Sequence, residues 1–325
     1  MQPQFVFLGA CAQSRAVSSS RMSGRETASL QRTPDGRKSI LVTGALGSLG
    51  RGVVEQLSGR FRVISSDVTP QADRVDYFQA DLRDAQAARR LVAAEHAAIV
   101  HTPAWHGVHA NKKMPIEYWQ LNVDGTFNVL NAAAEAGVKR VVWASSMAFY
   151  GASAEPYPFS KQVGESVLDH FRDRAEIQSV RLRFSNFTPH RDFIEYGVRF
   201  LGGGLDRRDA IEATVVALDQ LLAGAIGDSA YDIAAKSPFS AENADQWRTD
   251  KWAVLQRHYP DHMGLLRRYL ADRLPSHLRS AGSGDAGSGA IGFVPRFNFD
   301  SFVRELAERV ERNDLSAPEG YSVAR

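Results

Sequence analysis

Two adjacent serines, two tyrosines and one lysine stand close together in SSMAFYGASAEPYPFSK, residues 145 to 161, and these residue types suit proton transfer. Tyr157 has Lys161 four residues later, one helical turn on along the same face. A tyrosine ordinarily keeps its proton to about pH 10. An ammonium beside the phenol favours the phenolate, so the pair reads as a tyrosine that exchanges a proton near neutral pH. A hydroxyl at the end of the preceding strand, Ser146, would hold a substrate oxygen and share its developing charge. Tyr150 has no such partner, because position 154 is alanine.

A second cluster suits a phosphate-bearing ligand. TGALGSLG places Gly44, Gly47 and Gly50, with Leu46, Ser48 and Leu49 between them, where an apolar run meets a helical pattern. Glycines there allow a tight turn, close backbone approach to a pyrophosphate and close helix–strand packing. The helix start then offers free N–H groups and the positive end of its dipole. Asp67 ends the next apolar run at the distance expected of an acid that holds ribose hydroxyls. An acid there repels a 2′-phosphate, so NAD is expected rather than NADP. An oxidised nicotinamide would add to the field that favours the Tyr157 phenolate.

These clusters must be held by regular elements, and the chain supplies them in alternation. SILVTG, FRVISSD, AAIVHTPA, KRVVWASS and IQSVRLRFSN read as strands. Between them, RGVVEQLSG, AQAARRLVAAE, IEYWQLNVDGTFNVLNAAAEAGV and a stretch from about Tyr157 to Phe171 read as helices, with Gly59 and Gly137 as stop signals. Strands separated by helical patterns imply parallel pairing through right-handed crossovers. The expected fold is α/β, a doubly wound parallel (Rossmann) sheet over residues 38–185, followed by a small, mostly helical substrate lobe over residues 186–325 intermixed with it. Asp206 to Asp209 looks like a helix start, and DSFVRELAERVER reads as a helix with Phe302, Leu306 and Val310 on one buried stripe. SAGSGDAGSGA, residues 280–290, has the composition of a flexible loop.

Composition narrows the function classes. Of 325 residues 23% are charged and 44% hydrophobic, and the net charge of +2 leaves no footprint for nucleic acid. Cys11 is the single cysteine, which excludes an internal disulfide and suits a cytoplasmic setting. No apolar run approaches the roughly 18 residues of a membrane span, and no histidine or acid spacing reads as a metal site. Residues 1–37 are polar and basic and read as a disordered extension, with Met22 an alternative start; LGAC is similar to a lipoprotein cleavage box but lacks the flanking signal.

Taken in order, these motifs resemble the extended short-chain dehydrogenase/reductases of the epimerase/dehydratase type. Thr43, Gly44, Gly47 and Gly50 match that family's TGxxGxxG turn. By the same resemblance Asp81 of QADLRD, with Leu82, would contact the adenine, while His101, Pro103 and Ala104 of HTPAW would run along the cofactor. Asn122 opens the fifth-helix signature NVDGTFNVLNAA, and LRFSN, ending at Asn186, is similar to LRxxN. Counting back from FYG makes Ser146 the hydroxyl of a Ser–Tyr–Lys set, with Ser145 as the alternative, and Lys161 would also hold the nicotinamide ribose. The resemblance is dense over residues 38–190 and thin beyond. It implies a homodimer.

Departures from the pattern bear on the substrate. Met147 and Ala148 stand where nucleotide-sugar dehydratases of this type carry Asp-Glu, which disfavours dehydration. The stretch from Asn186 to Asp209 is short, as is the loop from Ser146 to Tyr157, which suits a small substrate without a nucleotide handle. Thr188-Pro189 is similar to uronate dehydrogenases, whereas PAWHGVH and EYWQLNV look more like a group of bacterial NAD(P)-dependent oxidoreductases. Trp105, Asn186 and Arg191 are further candidates for substrate contact, Arg191 by pairing with a carboxylate; His106 and His109 could line the pocket mouth. Three classes of function follow: a dehydrogenase of a small hydroxyl or carbonyl compound, such as a carbohydrate or sugar acid; an epimerase that keeps NAD bound; and a non-catalytic dinucleotide sensor.

Overall fold

The computed structural model describes residues 38–71, 75–187, 190–282 and 289–318. The N-terminal extension with Cys11, Thr188, Pro189 and most of the 280–290 loop lie outside the described residues. Seven parallel strands form one sheet in the order β3-β2-β1-β4-β5-β6-β7. They are β1 (Ser39–Thr43), β2 (Arg62–Asp67), β3 (Tyr77–Gln79), β4 (His96–His101), β5 (Arg140–Ser146), β6 (Gln178–Phe184) and β7 (Ser229–Ile233). The order reverses between β1 and β4, and ligands of such sheets bind in the crevice that opens there. All five residues of β1 are buried, as expected of a strand covered on both faces. This is the doubly wound sheet expected from the sequence.

The helices are α1 (Ser48–Ser58), α2 (Ala85–Leu91), α3 (Pro115–Tyr118), α4 (Gly125–Ala136), α5 (Pro156–Ala175), α6 (Phe193–Leu201) and α7 (Arg207–Ala223). In the C-terminal part come α8 (Ala241–Trp247), α9 (Lys251–His258), α10 (Met263–Leu270) and α11 (Phe299–Glu311). Val53 and Leu57 of α1 and Ile211 and Leu218 of α7 pack on one sheet face in a single apolar cluster. A second cluster joins Phe193 and Phe200 of α6 to Trp247, Leu255, Leu266 and Phe302, and makes the C-terminal lobe helical. Segment 186–325 is therefore shared, since it also sends α7 and β7 back to the sheet. No described helix is long and apolar enough to cross a membrane.

Three details differ from the sequence reading. β3 and β7 were not expected, because the first is three residues long and the second, SAYDI, is only partly buried at the sheet edge. α2 stops at Leu91, four residues early, because Val92 is extended and the chain turns through Ala93 to bring His96 beside Ser39. The long helix before Gly137 is interrupted by a π segment, Trp119–Asp124. Such bulges re-aim side chains, and this one holds Asn122.

α5 lies very close to β5. A Cβ on Gly164 would stand 2.7 Å from Cζ2 of the buried Trp143 indole. Alanine normally gains ~1 kcal/mol over glycine inside a helix, but overpacking costs about 1–3 kcal/mol. Gly164→Ala is therefore expected to destabilise by ~1–2 kcal/mol in urea unfolding.

Candidate active site

The C-terminal ends of six strands, β1 to β6, open on one cavity of about 980 Å³. The glycine turn forms one end of it. Gly44 has φ of +68°, and a Cβ there would lie 2.7 Å from Thr102 Oγ1 and from the Pro103 nitrogen. A Cβ on Gly50 would come within 2.2 Å of the Gly44 carbonyl. Gly47 stands at the cap position of α1 and offers no side-chain cap, and the first turn holds no acid. Its first amides are thus left for an anion in the cavity. Asp67 lines the wall and accepts the Leu46 amide on Oδ2 at 3.1 Å. The neighbouring Ser66 hydroxyl is buried without a hydrogen-bond partner among the described residues. Asp81 and Leu82 line the same end, and Arg83 grips the Asp81 carboxylate and holds it below the usual carboxylate range. These donors and this glycine cradle fit a dinucleotide.

Leu46, Gly47, Ser48, Leu49, Pro103 and Ala104 also face the cavity. Thr43, Gly50, His101 and Asn122 do not line it; they are buried behind the wall. Thr43 Oγ1 meets His101 Nδ1 at 2.8 Å, and His101 Nε2 meets Thr126 Oγ1 at 3.2 Å. Burial, aided by the Lys161 charge, pushes the His101 imidazole down to about 3, so it stays neutral. Asn122, on the π segment, donates to the Trp105 carbonyl at 2.7 Å and accepts the Trp105 amide at 2.8 Å. It therefore fixes the loop that bounds the other end of the cavity.

That other end carries the candidate chemistry. Ser145, Ser146, Tyr157 and Lys161 line it together with Trp105, His106, Met147 and Asn186. Tyr157 and Lys161 share one face of α5, while Ser146 ends β5. The Lys161 ammonium donates to the Ala144 carbonyl at 2.7 Å and sits 4.5 Å over the Trp143 ring. Of the two serines, Ser146 bonds toward the Tyr157 phenol, while Ser145 donates to buried Glu165 at 2.7 Å. Burial pushes the Tyr157 phenol up to about 12, against the opposing hydrogen bond from Ser146. Burial also pushes Lys161 down to about 7, against the attraction of Glu165. The pairing is present, but without a ligand the burial of the site opposes the ionisation that the Tyr–Lys spacing suggests.

Arg191 is not brought to the cavity. Its side chain is 83% exposed and paired with Glu195 one turn on, at 2.8 Å. His106 lines the cavity, its ring 6.4 Å from that of Tyr157, and burial pushes it down to about 4. His109 instead packs edge-on against Trp105 at 5.1 Å. Sequence reasoning missed Trp143, Glu165 and Arg183. Glu165 carried a signal, because it continues the four-residue spacing of Tyr157 and Lys161.

Residues 40–198 match the NAD dependent epimerase/dehydratase family. That segment belongs to the family. The chain is 34% identical to the uronate dehydrogenase of Pseudomonas putida, over 46% of this chain and 61% of that one. It is 30% identical to the UDP-glucose 4-epimerase of Erwinia amylovora, over 46% of this chain and 53% of that one. The chain thus spans little more than half the length of these relatives. Among solved structures, an NAD-bound short-chain dehydrogenase/reductase superfamily protein from Agrobacterium tumefaciens superposes with a TM-score of 0.62 at 20% identity, covering 85% of this chain and 98% of that one. An L-threonine dehydrogenase from Cupriavidus necator gives 0.60 at 19% identity, covering 84% and 99%. At such identities these two establish the fold.

Lys161 generates a pH prediction. Its folded value, about 7, lies below the ordinary 10.5, so the cost of burying the ammonium is fully present below pH 7. That cost is relieved as pH rises from about 7 toward 10.5, where the unfolded chain still holds the proton. Lys161→Met is expected to be more stable than wild type by ~2–4 kcal/mol at pH 6, with the gap closing toward pH 10. Urea unfolding at several pH values checks this, and a gap independent of pH contradicts it.

Proposed function

We propose that this protein is an NAD-dependent oxidoreductase that moves a hydride between the nicotinamide and a small hydroxyl or carbonyl compound. The observation that carries the reading is a single cavity with a glycine-lined, acid-free helix start at one end and Ser146, Tyr157 and Lys161 at the other. When bound, the cofactor supplies the hydride acceptor. Gly44 to Leu49 would hold its pyrophosphate, and Asp67 its adenosine ribose. Asp67 favours NAD over NADP, because a 2′-phosphate would meet a carboxylate on the same wall.

In the oxidising direction, Tyr157 takes the hydroxyl proton of the substrate as general base. Ser146 donates to the same oxygen and orients it. Lys161, charged and one turn from Tyr157, offsets the desolvation that otherwise keeps the phenol protonated. Trp105, His106, Met147 and Phe187 line the substrate end. With His106 neutral and Arg191 turned away to Glu195, a compound uncharged near its reacting carbon suits this end better than one anchored by Arg191. The similarity to an epimerase supports a second reading, in which the cofactor stays bound and the hydride returns to the substrate. The short stretch from Asn186 to Asp209 favours the dehydrogenase.

Assembly as a homodimer belongs to the same reading. Trp119 of the π segment, Phe127 of α4 and Phe159 of α5 are about 40% exposed, and the Trp119 and Phe159 rings lie 6.2 Å apart. Large aromatics grouped on a surface mark association sites.

Nucleotide released on denaturing the fresh protein tests the two enzymatic readings: stoichiometric NAD indicates the epimerase, and an empty protein that binds added NAD the dehydrogenase. In a screen of small alcohols and sugar derivatives, Tyr157→Phe is expected to lower kcat ~10²–10⁴-fold with NAD affinity unchanged by calorimetry. Activity that survives this substitution would overturn the mechanism. Phe159→Glu is expected to convert a dimer to a monomer in sedimentation velocity.

A further inference from the structure

We propose that Glu165 is a positioning residue for this reaction: it ties the strand end bearing Ser146 to the helix bearing Tyr157 and Lys161, and supplies the negative charge that keeps Lys161 an ammonium. The inference rests on the reading of Lys161 as the cation of the Ser–Tyr–Lys set. Tyr157, Lys161 and Glu165 follow one another at four-residue spacing on α5 and so share its inner face. Glu165 is buried, 4% exposed. Its Oε1 accepts the Ser145 hydroxyl at 2.7 Å, and Ser145 is covalently next to Ser146. Arg183 of β6 closes the arrangement, donating Nε to Oε1 at 2.9 Å and Nη2 to Oε2 at 2.6 Å.

The far side of Arg183 reaches the loop between Ser146 and Tyr157. Its guanidinium lies 3.8 Å from the centre of the Phe149 ring and donates to the Tyr150 hydroxyl at 2.7 Å. Tyr150 donates in turn to Asp232 of β7 at 3.0 Å. One carboxylate therefore links α5, β5, β6 and, through Arg183, the loop between the two reacting hydroxyls. Tyr150, which cannot serve as the base, acts here as an anchor.

The groups around Lys161 explain why the charge is needed. From α5 come Tyr157 and Glu165, and from β5 the Trp143 ring and the Ala144 carbonyl. His101 of β4 and His106 of the following loop are close enough to feel the lysine, and both are held neutral by burial. Arg183 of β6 stands behind Glu165. Among these groups Glu165 is the one acid, and its attraction is the main influence opposing the burial that drives Lys161 toward the neutral amine.

The test follows Lys161 directly, without substrate or cofactor. Wild-type protein labelled with ¹³C at lysine Cε, with Lys161→Arg to assign the resonance, is titrated by NMR; a midpoint near 7 is expected for Lys161. Glu165→Gln, which keeps the shape and the acceptor for Ser145, is expected to lower the midpoint by about one pH unit or more. Glu165→Gln/Arg183→Met, which also removes the guanidinium, is expected to recover part of that fall and serves alone if the single variant does not fold. Glu165→Asp is expected to stay near wild type. An unchanged midpoint in Glu165→Gln, a double variant below the single one, or an equal fall in Glu165→Asp would overturn the proposal. Absence of any NAD-linked activity in wild type, with the midpoints moving as stated, would defeat the enzymatic reading and with it the positioning role, while the hold of Glu165 on the Lys161 charge would stand.

Discussion

Keeping an amine inside the protein is the constraint on which the site depends. The side chain of Lys161 is buried on a helix whose inner face is pressed to the sheet, so little of it is open to solvation. An isolated buried charge would neutralise rather than persist. The protein supplies substitutes for water one at a time: a carbonyl from Ala144, the face of Trp143, and the carboxylate of Glu165 one turn on. Each demands something of the surrounding structure. The indole fits only because position 164 has no side chain, and the carboxylate is tolerated only because Arg183 pairs both its oxygens.

The same logic sets the two ends of the cavity apart. At the dinucleotide end the ligand-facing groups belong largely to the backbone, because glycines bring the chain close and an uncapped helix start presents N–H groups. Backbone donors carry no proton that titrates near neutral pH, so those donors are indifferent to pH. At the other end Tyr157 and Lys161 are displaced by burial in opposite directions, up and down, which favours the neutral form of both. A bound positive nicotinamide would draw the phenol back toward ionisation. The unliganded site is thus a resting arrangement: burial holds the Tyr157 phenol protonated and brings Lys161 to about 7, where the attraction of Glu165 keeps the ammonium within reach of neutral pH.

The sequence disclosed features that repeat or break a local rule. Strands buried on both faces read as apolar runs, glycines at a strand–helix junction read as a phosphate turn, and Tyr157 with Lys161 read as a pair from spacing alone. What stayed hidden depends on long-range packing. β3 is too short for a pattern, and in β7 only Ile233 is fully buried. Arg191 is exposed and pairs with Glu195, one turn on, a contact that sequence spacing alone does not rank against the cavity. His101 and Asn122 carry the family resemblance, yet both act from behind the wall, His101 on Thr43 and Asn122 on the Trp105 loop.

The C-terminal half is better understood through its attachments than through its own pattern. α7 lies against α1, where a Cβ on Gly52 would stand 2.1 Å from Ile211 Cδ1, and the Arg207 guanidinium donates to the Ser48 carbonyl at 2.6 Å. Asp206, wholly buried, caps α7 and accepts the Tyr196 hydroxyl of α6 at 2.6 Å. Leu205, just before that cap, donates its amide to the Asn186 carbonyl at the cavity rim. The helix that opens the phosphate turn is therefore braced by the segment that leads into the helical lobe. Three consecutive residues, Leu205, Asp206 and Arg207, thus tie Asn186 at the rim, α6 and the first turn of α1 to one another.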